Sequence, residues 1–374
     1  MSTPNGRTTK QLRVRGETLR AFCERALRAV DVPSEDAAIV ADVLVAADLR
    51  GIDSHGVARL RRYTDGVRRG VMSAHPNVRV LAETPATAVL DADAGLGQPV
   101  SYRAMQRAIE KAHAVGVGVV AVRNSNHFGI AGYYAMLALE HDCIGMATSN
   151  AGRLVIPTFG REPMLGTNPI AVAAPAGSER PYVLDMATST VAMGKIEIYD
   201  RLGLALPPGW AADRDGLPLH DAHQARTQLS RRAGGGLLPL GGASETTGGH
   251  KGYGLSLLVD ILCGVLAGAA YSDRIMSEGV AGGVPTHPNL GHVFAALRVD
   301  AFRPLDEFKA AMDDLQRRIK ESPKAAGHER IYIHGEKECE AATERSLLGI
   351  PLNPHVVDDL RSLAQELDVP FDLE

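Results

Sequence analysis

The sequence GVGVVAVRNSNHFGIAGYYAMLALE, residues Gly116–Glu140, passes from an apolar run through a polar turn into a second apolar pattern. The run Gly116–Val122 is short and rich in valine, which favours a buried β-strand. In Ile130–Glu140 the apolar residues recur at helical spacing, so this stretch predicts a helix. A strand that opens into a helix through a polar loop is a usual position for site residues in α/β proteins.

The polar loop Asn124–Gly129 contains one histidine, His127. Its imidazole is a candidate general acid/base, because the charge of histidine changes near neutral pH. The amides of Asn124 and Asn126 are suited to orienting a substrate. A turn whose half-buried histidine is satisfied by backbone groups explains the same residues, and the sequence leaves both interpretations open.

Further strand candidates surround this stretch, separated by helical segments without a regular βαβ period. They lie at Val78–Leu81, Ala88–Leu90, Ile144–Ser149, Ile170–Ala174 and Tyr182–Met186. Helical spacing dominates both ends of the chain, over residues 17–70, 305–320 and 354–367, and residues 207–250 form a long glycine-rich segment without a clear pattern. The pattern predicts an α/β fold with a mixed sheet and flanking helices, rather than a doubly wound parallel sheet.

Composition excludes several classes of protein. The chain has 374 residues, 45% hydrophobic and 22% charged, and a net charge of −4, so disorder, coiled coil and a general affinity for nucleic acid are poor fits. Four widely spaced cysteines predict neither a zinc ribbon nor a disulfide framework, and we expect no metal. Met1–Gly16 lacks an apolar leader, and the longest apolar stretch, Leu255–Ala270, is shorter than the roughly 20 residues of a membrane span. We therefore expect a cytoplasmic protein with no membrane partner.

A second motif, DSHGVAR, occupies Asp53–Arg59. If Asp53 or Ser54 caps a helix, His55 lies in its first turn and shares a face with Arg59. The guanidinium can then hold a carboxylate while the imidazole exchanges a proton with a neighbouring carbonyl oxygen, as a 2-oxo acid requires. The helix dipole and Arg59 would both lower the pKa of His55. An ordinary capped helix with solvated charges is the simpler explanation on spacing alone.

A third motif, GGHKGYG at Gly248–Gly254, precedes a long apolar helix predicted over Tyr253–Ala267. Glycines and a helix N-terminus suit an anion, and Lys251 adds a positive charge, which fits a dinucleotide. The spacing is not that of a P-loop, and no GxGxxG or GxSxG motif follows a strand. A flexible loop before a helix is the competing interpretation.

Two short segments, Leu165–Ile170 and Val183–Ser189, each couple a strand candidate to hydrogen-bonding residues. Either segment lines a ligand cleft or is simply a strand end with turn chemistry. Asp185 in the second segment is placed to orient a histidine or a ribose hydroxyl.

Taken together, these motifs resemble the malate/L-lactate dehydrogenase family of the second type, which is unrelated to the Rossmann-type lactate and malate dehydrogenases. The matching stretches are RGIDSHGVARL (Arg50–Leu60), NSNHFGIAGYY (Asn124–Tyr134), LGTNPIAVAAP (Leu165–Pro175), VLDMATS (Val183–Ser189), GKIEIYDRLGLALPPGWAADRDG (Gly194–Gly216) and GGHKGYGLSLLVDILCGVLAGA (Gly248–Ala269). The resemblance implies a non-Rossmann nicotinamide-binding domain around a largely antiparallel sheet, over residues 76–300. It also implies a helical domain built from both termini, residues 1–75 and 301–374, and a homodimer or higher homo-oligomer.

The resemblance also implies roles for individual residues. The catalytic candidates are His55, His127 and Ser54; the substrate-binding candidates are Arg59, Thr167 and Asn168; the cofactor-binding candidates are Asp185, Met186, Ala187, Lys251, Gly252, His334, Gly335 and Glu336. The expected reaction is hydride transfer between NAD or NADP and a small 2-oxo or 2-hydroxy acid. Alternatives are reduction of a cyclic imino acid, a ureidoglycolate-type dehydrogenase, and a catalytically silent nicotinamide-binding protein. A hydrolase using Ser54 and His55 is the weakest rival.

Overall fold

The computed structural model describes residues 12–231, 234–276, 279–281 and 284–373. The helices in it are α1 (Gly16–Arg28), α2 (Ser34–Leu49), α3 (Leu60–Arg68), α4 (Gly97–Val115), α5 (Ala131–Leu137), α6 (Met193–Leu202), α7 (Ala222–Arg231), α8 (Gly249–Asp260), α9 (Leu305–Glu321), α10 (Glu336–Leu348) and α11 (Pro354–Glu366). The strands are β1 (Arg13–Val14), β2 (Arg79–Glu83), β3 (Thr87–Asp91), β4 (Val117–Ser125), β5 (Cys143–Ser149), β6 (Ile170–Ala174), β7 (Tyr182–Met186), β8 (Ala211–Ala212), β9 (Gly236–Leu237), β10 (Gly279–Ala281), β11 (Val284–Thr286), β12 (Leu290–Arg298) and β13 (Ile350–Pro351).

The chain forms two compact units. The first comprises the described residues of Met1–Arg68 and Glu336–Glu374, and the second comprises those of Arg69–Gly335. In the first unit, α1 buries Leu19, Phe22 and Ala26 at the helical spacing seen in the sequence. The short strands β1 and β13 pair antiparallel and join the two chain ends. The predicted helical domain from both termini is therefore confirmed.

The second unit is built on a seven-stranded sheet of order β2-β3-β4-β12-β5-β6-β7. Only β3 and β4 run parallel, and every other neighbouring pair is antiparallel. The predicted α/β fold with a largely antiparallel sheet is confirmed. The central strand β12 was not predicted, although its Phe294 is fully buried and pairs with Val120 on one side and Ala147 on the other.

The boundaries of the units differ from the expected domain limits at residues 75 and 300. Helix α9 belongs to the second unit because its Asp313 carboxylate accepts backbone N–H groups of Gly177, Ser178 and Glu179, at 2.7–3.1 Å. These donors favour the ionised form and hold the pKa of Asp313 well below its usual range. Polar contacts, which periodicity does not reveal, tie this helix to the loop after β6.

The segment 207–250 is more regular than predicted. It contains α7, β8 and β9, and its apolar residues join a buried cluster with Ile196 and Leu165. The segment's contributions to that cluster include Ala211, Leu219, Leu229 and Leu237. Burial of these scattered residues, rather than local periodicity, orders the segment.

In the described ranges, no helix combines the length and the apolar character that crossing a membrane demands. Among the same residues, no group of three or more His, Cys, Asp or Glu side chains is arranged to hold a metal ion.

Candidate active site

Several of the predicted residues of the second unit lie near the carboxyl end of β7. Asp185, one residue before the end of this strand, accepts the backbone N–H of Gly132 at 2.7 Å through its Oδ2. Gly132 lies in the first turn of α5, three residues after the polar loop Asn124–Gly129. The bond therefore fixes the histidine-bearing loop beside the strand end that carries Asp185, Met186 and Ala187.

His127 is half-buried in this loop, and Gly129 donates its backbone N–H to Nδ1 at 3.3 Å. A ring nitrogen that accepts a hydrogen bond carries no proton, so the neutral imidazole holds its proton on Nε2. The loop backbone therefore favours the tautomer with its proton on Nε2, the form in which this nitrogen is a hydrogen-bond donor. A backbone group thus meets one ring nitrogen, and the acid/base role of His127 stays a prediction.

Asn168 and Thr167 occupy different environments. Asn168 is fully buried, its Oδ1 accepts the N–H of Ala151 at 3.0 Å, and its Nδ2 donates to the Ser256 carbonyl at 2.9 Å. The structure thus corrects the expectation that Asn168 contacts substrate, because its amide is occupied inside the protein. Thr167 is partly exposed and accepts the N–H of Thr188 at 2.9 Å through its carbonyl, which places it next to the residue after Ala187.

The start of α8 lies in the same region. Leu240 donates its N–H to the Thr188 carbonyl at 2.9 Å, and a Cβ at Gly252 would lie only 2.2 Å from the Leu240 carbonyl oxygen. Only glycine allows the first turn of α8 to approach this backbone so closely. The helix begins at Gly249, not at Tyr253 as predicted, so Lys251 and Gly252 lie within its first turn.

A dinucleotide fits the donor set at this helix end. The positive end of the α8 helix dipole favours an anion, and the exposed Lys251 adds a full positive charge in the same turn. The residues present therefore suit the diphosphate of a nicotinamide dinucleotide.

The segment His334–Gly335 runs along β7. Val183 donates its N–H to the His334 carbonyl at 3.0 Å, and the exposed His334 ring lies 5.7 Å from the ring of Tyr182. Gly335 has φ of +93°, and a Cβ there would meet the Val183 Cβ at 2.9 Å. The next residue, Glu336, is buried at the start of α10 in the first unit.

In the first unit, Ser54, His55 and Arg59 form a small cluster of their own. Ser54 Oγ lies 2.9 Å from His55 Nδ1, and Arg59 donates from Nε to the Ser54 carbonyl at 2.7 Å. The predicted helix cap at Asp53 or Ser54 is wrong, because the helical turns begin only at Val57. His55 therefore lies in a loop before the helix, and the Arg59 side chain folds back towards that loop.

The pKa of His55 is lowered to about 4. Burial is the largest cause, and the positive charges of Arg59 and Arg62 add to it. The predicted direction and the contribution of Arg59 agree with the structure. The ring is neutral at pH 7, and an anionic ligand that offsets the two guanidinium charges would raise its pKa.

The loop that carries His55 rests on a buried carboxyl group. Asp48 in α2 accepts the Val57 N–H at 2.8 Å through Oδ2, and a Cβ at Gly56 would overlap its carboxyl group. Burial raises the pKa of Asp48 to about 7, with a smaller contribution from the negative charge of Asp53, although the Val57 bond opposes the shift.

This shift predicts how stability depends on pH. Between about pH 4 and pH 7 the folded state keeps a proton on Asp48 that the unfolded chain loses, so the free energy of unfolding falls as the pH rises. We expect Asp48→Asn to remove this dependence, changing the stability difference between parent and variant by roughly 2–4 kcal/mol from pH 4 to pH 8. Urea unfolding of both proteins from pH 4 to pH 8 measures this difference in the free energy of unfolding. A difference that stays constant with pH would contradict the assignment.

The chain matches known proteins over almost its whole length. The family profile described as malate/L-lactate dehydrogenase matches residues 14–361. A malate dehydrogenase of Pyrococcus abyssi is 47% identical, over 96% of each chain. An L-sulfolactate dehydrogenase of Methanocaldococcus jannaschii is 40% identical, over 91% of this chain and 93% of the relative. A ureidoglycolate dehydrogenase (NAD(+)) of Escherichia coli is 30% identical, over 93% of this chain and 94% of the relative.

Solved structures give the same result. Malate dehydrogenase from Pyrococcus horikoshii OT3 has a TM-score of 0.87 at 44% identity and covers 99% of both chains. A delta1-piperideine-2-carboxylate reductase from Pseudomonas syringae has a TM-score of 0.79 at 27% identity, covering 94% of this chain and 99% of the other. Dehydrogenases of this family use a nicotinamide cofactor. The resemblance seen in the motifs is confirmed: the chain belongs to the malate/L-lactate dehydrogenase family and is an oxidoreductase.

Proposed function

We propose that this protein catalyses reversible hydride transfer between a nicotinamide cofactor and a small 2-oxo or 2-hydroxy acid. The observation that carries the proposal is the gathering of the His127 loop, Asp185 and the Lys251 turn around the carboxyl end of β7. This arrangement joins a proton-exchanging group to a place for an anionic cofactor. Those are the two components that carbonyl reduction requires.

The bound cofactor supplies the hydride that reaches the carbonyl carbon, and the protein supplies the proton that the carbonyl oxygen gains. His127, with its proton on Nε2, and His55 are the candidates for that proton exchange. Ser54 orients His55 through Nδ1, and Arg59 holds the substrate carboxylate by charge-assisted hydrogen bonds. The hydroxyl of Thr167 is the remaining candidate for a hydrogen bond with the substrate. Orientation and charge stabilisation would supply most of the acceleration.

Two segments of the second unit and the start of helix α8 are assigned to cofactor binding. Asp185, Met186 and Ala187 lie at the carboxyl end of β7, His334 and Gly335 lie beside Val183 in the same strand, and Lys251 with Gly252 lies in the first turn of α8. Glu336 completes the proposed set. Both NAD and NADP remain candidates.

A substrate panel tests the function. 2-Oxo acids and cyclic imines are offered with NADH and with NADPH, and loss of reduced-cofactor absorbance is followed. We expect turnover on a small 2-oxo acid such as oxaloacetate, pyruvate or sulfopyruvate. Turnover on imines alone would favour the cyclic imino acid reductase, the alternative that the piperideine-2-carboxylate reductase structure supports. Oxidation of ureidoglycolate with NAD+ or NADP+, without turnover of the other substrates, would favour the ureidoglycolate-type activity. Tight cofactor binding without turnover on any substrate would indicate a silent nicotinamide-binding protein.

We also propose that the protein works as a homodimer. Large apolar side chains remain exposed along α8 and along the π-helical turn Ile261–Leu266 that follows it. They include Leu258, Val265 and Leu266, whose exposed fractions are 46%, 59% and 63%. Apolar clusters of this kind mark contact surfaces.

Sedimentation tests the dimer. The parent is expected to have about twice the 39.7 kDa mass of one chain, and Leu258→Asp is expected to shift it towards the single-chain mass. Leu217→Asp, at a 62% exposed leucine outside α8, is the control and should leave the mass unchanged. A parent that sediments as one chain would rule out the dimer.

A further inference from the structure

His292 is a buried histidine that the reaction scheme above does not use. It lies in the central strand β12 with no exposed surface, and its two ring nitrogens each contact a serine hydroxyl. Nδ1 lies 2.8 Å from Ser149 Oγ at the end of β5, and Nε2 lies 2.9 Å from Ser125 Oγ at the end of β4. The imidazole thus bridges the ends of the two strands that flank β12.

The hydrogen bonds of this bridge have a defined direction. Ser149 Oγ lies 2.8 Å from the Asn150 carbonyl, to which it donates its only hydrogen. Towards His292 it can therefore only accept, so Nδ1 carries the proton of the ring. Nε2 then has no hydrogen and accepts from the Ser125 hydroxyl. Burial lowers the pKa of His292 to about 3, so the ring stays neutral and keeps this pattern at neutral pH.

The same ring contacts the polar loop Asn124–Gly129 on both sides of His127. Ser125 comes two residues before His127, and Phe128 comes directly after it. The Phe128 ring stacks on the His292 imidazole, with centroids 4.7 Å apart and planes 8° apart. The Phe128 carbonyl accepts the hydroxyl of the buried Tyr134, which fixes this side of the loop further.

We propose that His292 is a positioning residue, which fixes the His127 imidazole for proton exchange through its hydrogen bond with Ser125. The inference rests on the proposed role of His127. A displacement of about 1 Å in a reacting group can cost about 100-fold in rate, so a loop anchor of this kind acts on kcat. Because His292 contacts the loop and not the proposed cofactor segments, the KM for the cofactor should not change.

Two substitutions of His292 test its two hydrogen bonds one at a time. In His292→Gln the amide oxygen can take the place of Nε2 and accept from Ser125, whereas in His292→Asn the amide nitrogen can take the place of Nδ1 and donate to Ser149. Each variant loses the ring stack and one hydrogen bond, so we expect the two variants to lose a similar amount of stability. We expect His292→Asn to lower kcat for 2-oxo acid reduction about 10- to 100-fold, with the KM for NADH or NADPH unchanged. His292→Gln should keep kcat within about threefold of the parent.

Ser125→Ala is the second arm and keeps the histidine in place. It should lower kcat as His292→Asn does, and the double variant should show no further loss, because both changes remove the same bond. Thermal unfolding of every variant records the stability change. Equal kcat values for His292→Gln and His292→Asn, or full kcat in Ser125→Ala, would overturn the inference. If His127→Ala also keeps full kcat, the proposed acid/base role of His127 fails as well; if it is inactive, only the role of His292 is refuted.

Discussion

Replacing His127 with alanine is expected to lower kcat for reduction of a 2-oxo acid by about 10²- to 10⁴-fold, the usual contribution of a positioned general acid or base. The reason is geometric: the Gly129 N–H occupies Nδ1, so Nε2 is the nitrogen through which the ring can exchange a proton with the carbonyl oxygen. Steady-state rates at saturating cofactor and acid measure the change.

The same experiment is applied to His55→Ala, which is also expected to lose turnover. His223→Ala is the control, because this histidine is largely exposed and paired with Asp200, and its removal should leave kcat unchanged. Of the two candidate histidines, whichever can be removed with full activity is not the acid/base residue. Full activity in both variants would contradict the proton-exchange scheme.

Replacing Arg59 with alanine is expected to raise the KM for the acid about 10- to 150-fold, because charge-assisted binding worth about 1.5–3 kcal/mol is lost. The KM for the cofactor should stay constant. A second readout follows from electrostatics: Arg59 lowers the pKa of His55, so the variant should show a higher His55 pKa in an NMR titration.

Arg214→Ala is the matched control for Arg59, since the Arg214 side chain is 76% exposed in a loop of the second unit. It should change neither the KM for the acid nor the pKa of His55. An unchanged KM in Arg59→Ala would remove Arg59 from the role of carboxylate clamp, even if the pKa of His55 rises.

The strands that were predicted share a dense run of β-branched or apolar residues. Gly116–Val122 and Tyr182–Met186 are examples, and the observed β4 and β7 agree with them closely. The central strand β12 was missed, although its apolar run HVFAAL is visible in the sequence. Its alanines have weak strand preference, and its position is determined by pairing with β4 and β5, which are distant along the chain.

The helix boundary near His55 was mispredicted for a similar reason. Ser54 is a good cap by type, but the Val57 N–H finds its acceptor in Asp48 of the preceding helix, and Gly56 adopts a non-helical conformation. Local capping rules do not contain this partner. The side-chain cluster of Ser54, His55 and Arg59 nevertheless exists, held by loop geometry instead of a shared helix face.

Buried polar residues were the hardest to assign from sequence. Asn168 looks like a ligand-binding residue until the acceptor Ser256 and the donor Ala151 are known. His292 lies in an apolar run and gave no signal of its partners Ser125 and Ser149, which are more than 140 residues away along the chain. In both cases three-dimensional pairing, not residue type, decides whether the side chain faces a ligand or the interior.

The most direct test of the central claim follows the hydride itself. The purified protein is incubated with a 2-oxo acid and with reduced nicotinamide cofactor that carries deuterium at the 4R position in one reaction and at the 4S position in another, and each product is examined by NMR and mass spectrometry. The account predicts a 2-hydroxy acid with one deuterium at C2, transferred from one face of the cofactor only. Absence of deuterium at C2 from both labelled cofactors, or no 2-hydroxy acid from any acid tested with NADH or NADPH, would contradict it.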